Sequence, residues 1–324
     1  MSLLSILKSK GPSGFGYGST AEEVTAGLSL KGKNILITGC NSGLGQEALR
    51  VFCLRGARVL GTARTLEKAK EAGASAGGST LPFECELSEP ASVYGCIEAV
   101  KKSGARLDAI VCNAGIMALP KLQQAFGYEL QFFTNHIGHF TLVTGLLDQL
   151  ADDGRVVMLS SGAHSRAPEA GIEFENLSGE RDYSAWRAYG QSKMANILFA
   201  KELARRFTGT RKVANAVHPG VIRTNLGRHM NPAMNAAFAL FGPLVLKSVA
   251  QGAATECWAA VHPQAAAING EYLADCNVAR PRPDADDPEL AKKLWKVSEE
   301  IVARVHNLPG EGAHSAAAGS PRTA

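Results

Sequence analysis

The sequence has no run of about twenty uninterrupted apolar residues, so a membrane-spanning helix is not expected. Its nearest approach, 233–246, is broken by Gly242 and Pro243. Residues 1–7 are apolar but too short for a signal core, and no basic segment precedes them. No Cys-x-x-Cys occurs. The seven cysteines, at 40, 53, 85, 96, 112, 257 and 276, are odd in number, far apart and mostly set in apolar runs. That pattern argues against a disulfide framework or a metal site. It reads instead as buried free thiols in a reducing compartment, hence a soluble, cytoplasmic protein. Strong charge of either sign is also missing. The 34 basic and 30 acidic residues leave a net +4, too small and too scattered for a nucleic-acid partner.

What is present is a mixture of 45% apolar and 20% charged residues over 324 positions, ordinary for a globular chain with a sizeable core. Short β-branched runs at 34–38, 58–62, 81–85, 109–112, 155–160, 213–217 and 270–274 read as strands. Helical patterns lie between them near 43–55, 65–72, 89–103, 125–150, 188–207 and 250–261. The alternation predicts an α/β fold. It is a single-domain, doubly wound (Rossmann-type), mostly parallel seven-stranded sheet with helices on both faces, over 30–308. Residues 1–29 read as an irregular arm, and 309–324 as a disordered tail. An apolar insertion at 222–249 falls outside the alternation.

The first strand runs directly into Thr38-Gly39-Cys40-Asn41-Ser42-Gly43-Leu44-Gly45, and an apolar-periodic helix follows. Glycines there allow a tight turn and close approach of the backbone to a pyrophosphate, and the helix N-terminus offers amides to it. Gly39, Asn41, Ser42, Gly43, Leu44 and Gly45 are therefore candidate cofactor contacts. An NAD site wants a carboxylate about 20 residues further on. The second strand ends instead in Gly61-Thr62-Ala63-Arg64, with no acid. Arg64 suits a 2′-phosphate, so NADP(H) is favoured over NAD(H).

Tyr189 and Lys193 stand four apart, which places both on one face of a helix. A tyrosine ordinarily holds its proton to about pH 10, and a neighbouring ammonium stabilises its phenolate. Such a pair can act as a general acid or base on a carbonyl or an alcohol. The histidines His136, His139, His164 and His218 lack ligand spacing and read as structural.

Taken in order, the Thr38–Gly45 loop, Asn113-Ala114-Gly115, Asn135, Ser160-Ser161, Tyr189-x-x-x-Lys193 and Pro219-Gly220 make the chain resemble the short-chain dehydrogenase/reductase family over roughly 30–275. Asn135-His136-Ile137-Gly138-His139-Phe140 and Ser192-Lys193-Met194-Ala195-Asn196 look like its retinol dehydrogenase-like branch. The leader from Gly14 to Thr25 is similar to that of plant chloroplast-envelope members. The resemblance implies a tetrad: Tyr189 as general acid or base, Lys193 lowering its pKa, Ser161 bonding the substrate oxygen, and Asn135 holding a relay water. It implies cofactor contacts at Glu86, Leu87, Asn113, Ala114, Gly115, Tyr189, Lys193, Pro219, Gly220 and Thr224. Glu86 departs from the aspartate usual there. The expected substrate is an apolar carbonyl or alcohol of retinoid, steroid or aromatic type, with Met230–Leu246 as its lid. A homo-oligomer, dimer or tetramer, is implied too, and membrane-surface contact is only weakly supported. Two alternatives stand: a non-catalytic dinucleotide-binding redox sensor, and an NADPH-dependent C=C reductase.

Overall fold

Ile35, Leu36 and Ile37 are fully buried, and the strand that they build, β1 (Asn34–Thr38), has a parallel neighbour on each side. A strand covered on both faces needs apolar residues at successive positions, and this one has them. The computed structural model describes residues 8–222 and 246–306. On one side of β1 lie β2 (Arg58–Ala63) and β3 (Ser79–Glu84); β4 (Leu107–Cys112) opens the other side. A separate small hairpin holds β5 (Gln124–Ala125) and β6 (Tyr128–Glu129). With β7 (Leu150–Leu159), β8 (Val213–His218), β9 (Tyr272–Ala274) and β10 (Asn277–Ala279), the main sheet has the order β10-β9-β8-β7-β4-β1-β2-β3. Each pairing is parallel except β9 with β10.

The doubly wound sheet is as expected, with eight strands among the described residues rather than seven. The addition is β10. Asp275 and Cys276, at φ 53° and 60°, reverse the chain through two left-handed residues. Such a turn usually advertises itself with Asn-Gly or Asp-Gly, and Asp-Cys does not.

Helices cover both faces. Phe52 of Gly43–Leu54 and Trp258 of Ala254–Val261 pack with Ile35 and Ile37 on one side. Ile97 of Pro90–Lys102, Phe140 of Gly138–Gly145, Leu198 of Ala185–Arg206 and Leu294 of Pro288–His306 pack with Leu36 on the other. Alternate residues of β1 thus serve opposite layers.

Three expectations need correction. The stretch 125–150 is not one helix. Phe126 and Gly127, both at positive φ, close the β5–β6 hairpin, and the helix that follows carries a π turn at Phe133–Ile137. The last helix, Pro288–His306, was not foreseen at all. The arm expected to be irregular contains a helical turn, Ala21–Val24, with a reciprocal Thr20–Glu23 capping box. Asn277 and Gln251 bind the arm's backbone at Ser13, Phe15 and Gly18, while Ala21 and Val24 enter the core. The tail at 309–324, Thr224 and most of the 222–249 insertion lie outside the described residues. Among those residues no helix is long and apolar enough to cross a membrane.

Candidate active site

The chain leaves β3 at one edge of the sheet and re-enters at β4, beyond β1. Strand order therefore reverses between β1 and β4, which opens a crevice at their C-terminal ends. The glycine loop fills this position. Gly39 and Gly43 adopt φ of 68° and 56°, and a Cβ on Gly45 would lie 2.3 Å from the Gly39 carbonyl oxygen. These glycines are required by geometry. Asn113, at the end of β4, donates from Nδ2 to the Thr38 carbonyl at 2.8 Å and closes the crevice floor. Ala114 N–H donates to Thr38 Oγ1 at 3.0 Å.

Ser42 precedes the helix Gly43–Leu54 without capping it through its side chain. The first amides of that helix, with the open space above Gly43, fit a phosphate group. Arg64 follows β2, exposed, with no hydrogen-bond or ion-pair partner among the described residues. An unpaired guanidinium at this position fits a second phosphate. The cradle therefore suits a dinucleotide. Two expected contacts are less free than they looked. Glu86 Oε1 accepts from both the N–H and the hydroxyl of Ser88, and the Leu87 side chain is buried in the core. Pro219 and Gly220 follow β8, and Gly220, at φ 88°, leaves room for the Lys247 side chain.

Tyr189 and Lys193 share the helix Ala185–Arg206, and both are buried. This helix is stitched to the end of β7. Lys193 Nζ and Asn196 Nδ2 both donate to the Leu159 carbonyl at 3.0 Å, and Ser160 donates to the Lys193 carbonyl at 2.8 Å. Ser161 comes next along the chain. Its Oγ accepts from Ala163 N–H at 3.2 Å, so its own hydrogen is available to donate. The Lys193 ammonium lies 5.7 Å from the centroid of the Tyr189 ring.

Asn135 enters from the π turn. Its Oδ1 accepts from Ile116 N–H at 2.8 Å, and its Nδ2 donates to the Ile116 carbonyl and to Ser192 Oγ. A Cβ on Gly115 would sit 2.9 Å from Asn135 Oδ1 and 3.4 Å from Lys193 Nζ. Glycine at that position keeps the space between the two polar atoms open. The structure thus brings the four tetrad positions into one cluster at the C-terminal edge of the sheet.

Burial sets the electrostatics. It pushes the Tyr189 phenol up to about 12, against a pull from the Ser161 hydroxyl. It also pulls Lys193 down to about 8. The sequence expects Lys193 to lower the tyrosine; among this chain's own groups desolvation raises it, and the opposing pull comes from Ser161.

The histidines read as structural, and His139 ties the site together. His139 Nδ1–H donates to the Asn135 carbonyl at 2.9 Å, which leaves Nε2 to accept from Thr38 Oγ1 at 2.9 Å. The glycine loop, Ala114 and the π turn are thereby linked through one neutral imidazole, which burial holds down at about 4. The i, i+4 spacing of Asn135 and His139 carries no hint of a link to Thr38, 101 positions away. Among the described residues no His, Cys, Asp and Glu cluster could hold a metal, and the cysteines there are free and buried.

Comparisons with known proteins agree with this geometry. Residues 33–235 match the family described as short chain dehydrogenase. The chain is 39% identical over 306 residues to Short-chain dehydrogenase TIC 32 B, chloroplastic, of Brassica napus, covering 90% of this chain and 95% of that one. It is 35% identical to Retinol dehydrogenase 14 of Homo sapiens, with 84% and 87% covered. Among solved structures, an uncharacterized protein from Mycobacterium Paratuberculosis superposes with a TM-score of 0.71 at 31% identity, covering 86% and 97%. A short chain dehydrogenase from Burkholderia cenocepacia, in complex with NADP, shares the fold at a TM-score of 0.62 and 23% identity, covering 76% and 96%.

Proposed function

The chain belongs to the short-chain dehydrogenase/reductase family, and on that premise we propose that it is an NADP(H)-dependent oxidoreductase of an apolar, medium-to-large carbonyl or alcohol. The observation that carries the reading is the meeting of Tyr189, Ser161 and Lys193 beside a glycine cradle at the strand-order reversal. The retinol dehydrogenases among its relatives support a substrate of retinoid, steroid or aromatic type. Arg64 supports NADP(H), through charge-assisted bonds to a 2′-phosphate.

A nicotinamide dinucleotide, when bound, supplies or accepts the hydride. The protein's part is to hold the substrate oxygen and to move a proton. The Ser161 hydroxyl donates to that oxygen, against which charge develops as the carbonyl is reduced. Tyr189, firmly protonated at neutral pH, gives its phenolic proton to the same oxygen, and it takes one back when an alcohol is oxidised. The Lys193 ammonium stabilises the phenolate left behind. Its value near 8 is also low enough for it to return a proton. The opening over Gly115, between Lys193 Nζ and Asn135 Oδ1, suits a relay water.

Purified protein mixed with a panel of aldehydes, ketones and enones tests the reading. NADPH should be oxidised faster than NADH, and the product should be an alcohol. NADPH binding without turnover on any of them would favour the redox-sensing alternative, and a saturated C–C product would favour the C=C reductase.

A further inference from the structure

The peptide bond that follows Ser161 is gripped at both ends by imidazoles. Its carbonyl, on Ser161, accepts from His164 Nδ1–H at 2.7 Å. Its N–H, on Gly162, donates to His218 Nδ1 at 3.1 Å. The remaining contacts fix the tautomers. His164 Nε2 accepts from Arg282 N–H at 3.0 Å, so the ring proton of His164 is on Nδ1. His218 Nδ1 also accepts from Gly220 N–H at 3.4 Å, so the ring proton of His218 is on Nε2. One ring is therefore a donor to this peptide and the other an acceptor from it; charging His218 would remove that acceptor, whereas charging His164 would keep its donor and cost the acceptor for Arg282 N–H.

The rings are held by their surroundings. Tyr272 lies between them, 5.1 Å from His164 edge-on and 6.4 Å from His218 in a parallel stack. Behind His218 stand the buried Lys247 and its partner Asp275, 2.6 Å apart. Burial and the Lys247 charge keep His218 neutral, at about 4.

We propose that His164 and His218 are positioning residues that orient the Ser161 hydroxyl by fixing the peptide plane that follows it. Rotation of this peptide changes ψ of Ser161 and, with it, the Oγ–Ala163 bond that leaves the hydroxyl hydrogen free to donate. His218 also joins the Ser161 loop to the Pro219-Gly220 loop, so the substrate-oxygen side and the cofactor side keep one spacing. The inference rests on the reading of Ser161 given above, and its test separates the two.

The test compares His218→Leu, His218→Asn and the unaltered protein. Asparagine Oδ1 reproduces the Nδ1 acceptor; leucine does not. In His218→Leu, kcat for carbonyl reduction should fall by about 10-fold or more, and His218→Asn should recover most of it. NADPH affinity and melting temperature should be similar in the two variants, which separates positioning from simple loss of fold. A readout free of turnover comes from nitrogen NMR of histidine-labelled protein at pH 7. It should show His164 protonated at Nδ1 and His218 at Nε2, with the Gly162 amide exchanging faster in His218→Leu. Equal kcat in all three proteins, or either ring in the opposite tautomer, would overturn the clamp. If the unaltered protein reduces no carbonyl, the functional reading fails, and the tautomers and exchange rates still decide the clamp.

Discussion

Asn135 Nδ2 donates to Ser192 Oγ at 3.0 Å, a bond between the π turn and the long helix at the residue next to Lys193. The same side chain pairs with both backbone groups of Ile116. Replacing Asn135 with alanine therefore leaves the half-buried N–H and carbonyl of Ile116 without their partner and takes from Ser192 Oγ one of its two hydrogen bonds. Stability should fall by about 2–4 kcal/mol. Activity should fall further than stability accounts for, because Lys193 loses its neighbour across Gly115. Chemical denaturation together with kcat measured well below the midpoint checks both parts.

Arg64 is the residue on which cofactor choice turns. Arg64→Ala should weaken NADPH binding by about 10–100-fold and change NADH binding little, since only the former has a 2′-phosphate. Arg64→Asp should invert the preference. Fluorescence titration of both cofactors measures it. An unchanged NADPH affinity would remove the basis for the NADP(H) assignment.

The glycine loop predicts unequal costs at neighbouring positions. A Cβ at Gly45 would come within 2.3 Å of backbone at Gly39, whereas one at Gly43 meets nothing within 4 Å and suffers only from φ of 56°. Gly43→Ala should cost about 1–2 kcal/mol. Gly45→Ala must displace the loop itself, so it should abolish dinucleotide binding as well as destabilise the fold. Thermal melts with and without NADPH separate the two.

Glu256 gives a pH signature. It is fully buried, both carboxyl oxygens lack partners, and desolvation raises it to about 8. An acid raised in this way stays protonated in the fold while the unfolded chain ionises above about 4.5. Its contribution is thus fully present at low pH and is lost as pH rises from there through about 8. Glu256→Gln should stabilise the protein by roughly 2–4 kcal/mol at pH 8.5 and by little at pH 5. Denaturant midpoints of both proteins at the two pH values check the sign.

How much of this was legible in advance follows from how local each signal is. The apolar runs of β1 and β4, the glycines of the first turn and the Tyr189–Lys193 spacing are decided by a few adjacent residues, and these read correctly from the sequence. The helix Pro288–His306, absent from the expected elements, also has local marks, Pro288 at its first turn and an apolar stripe through Leu294, Trp295 and Ile301. β10 was hidden because its turn uses Cys276 at φ 60° in place of glycine. The clamp on the Ser161–Gly162 peptide and the Thr38–His139 link could not be read at all. His164 is only three residues from Ser161, but His218 and Thr38 reach their partners across 56 and 101 positions, through the order of the strands, and no spacing in the chain encodes those contacts.

The central claim is that Tyr189 supplies the proton to a carbonyl oxygen. The direct measurement is NADPH oxidation with an apolar aldehyde such as retinal, by the unaltered protein and by Tyr189→Phe, with NADPH affinity measured on both. The account predicts turnover by the unaltered protein and a loss of about 10³-fold or more in the variant, with affinity changed by less than about 3-fold. Comparable turnover by the two proteins would contradict it.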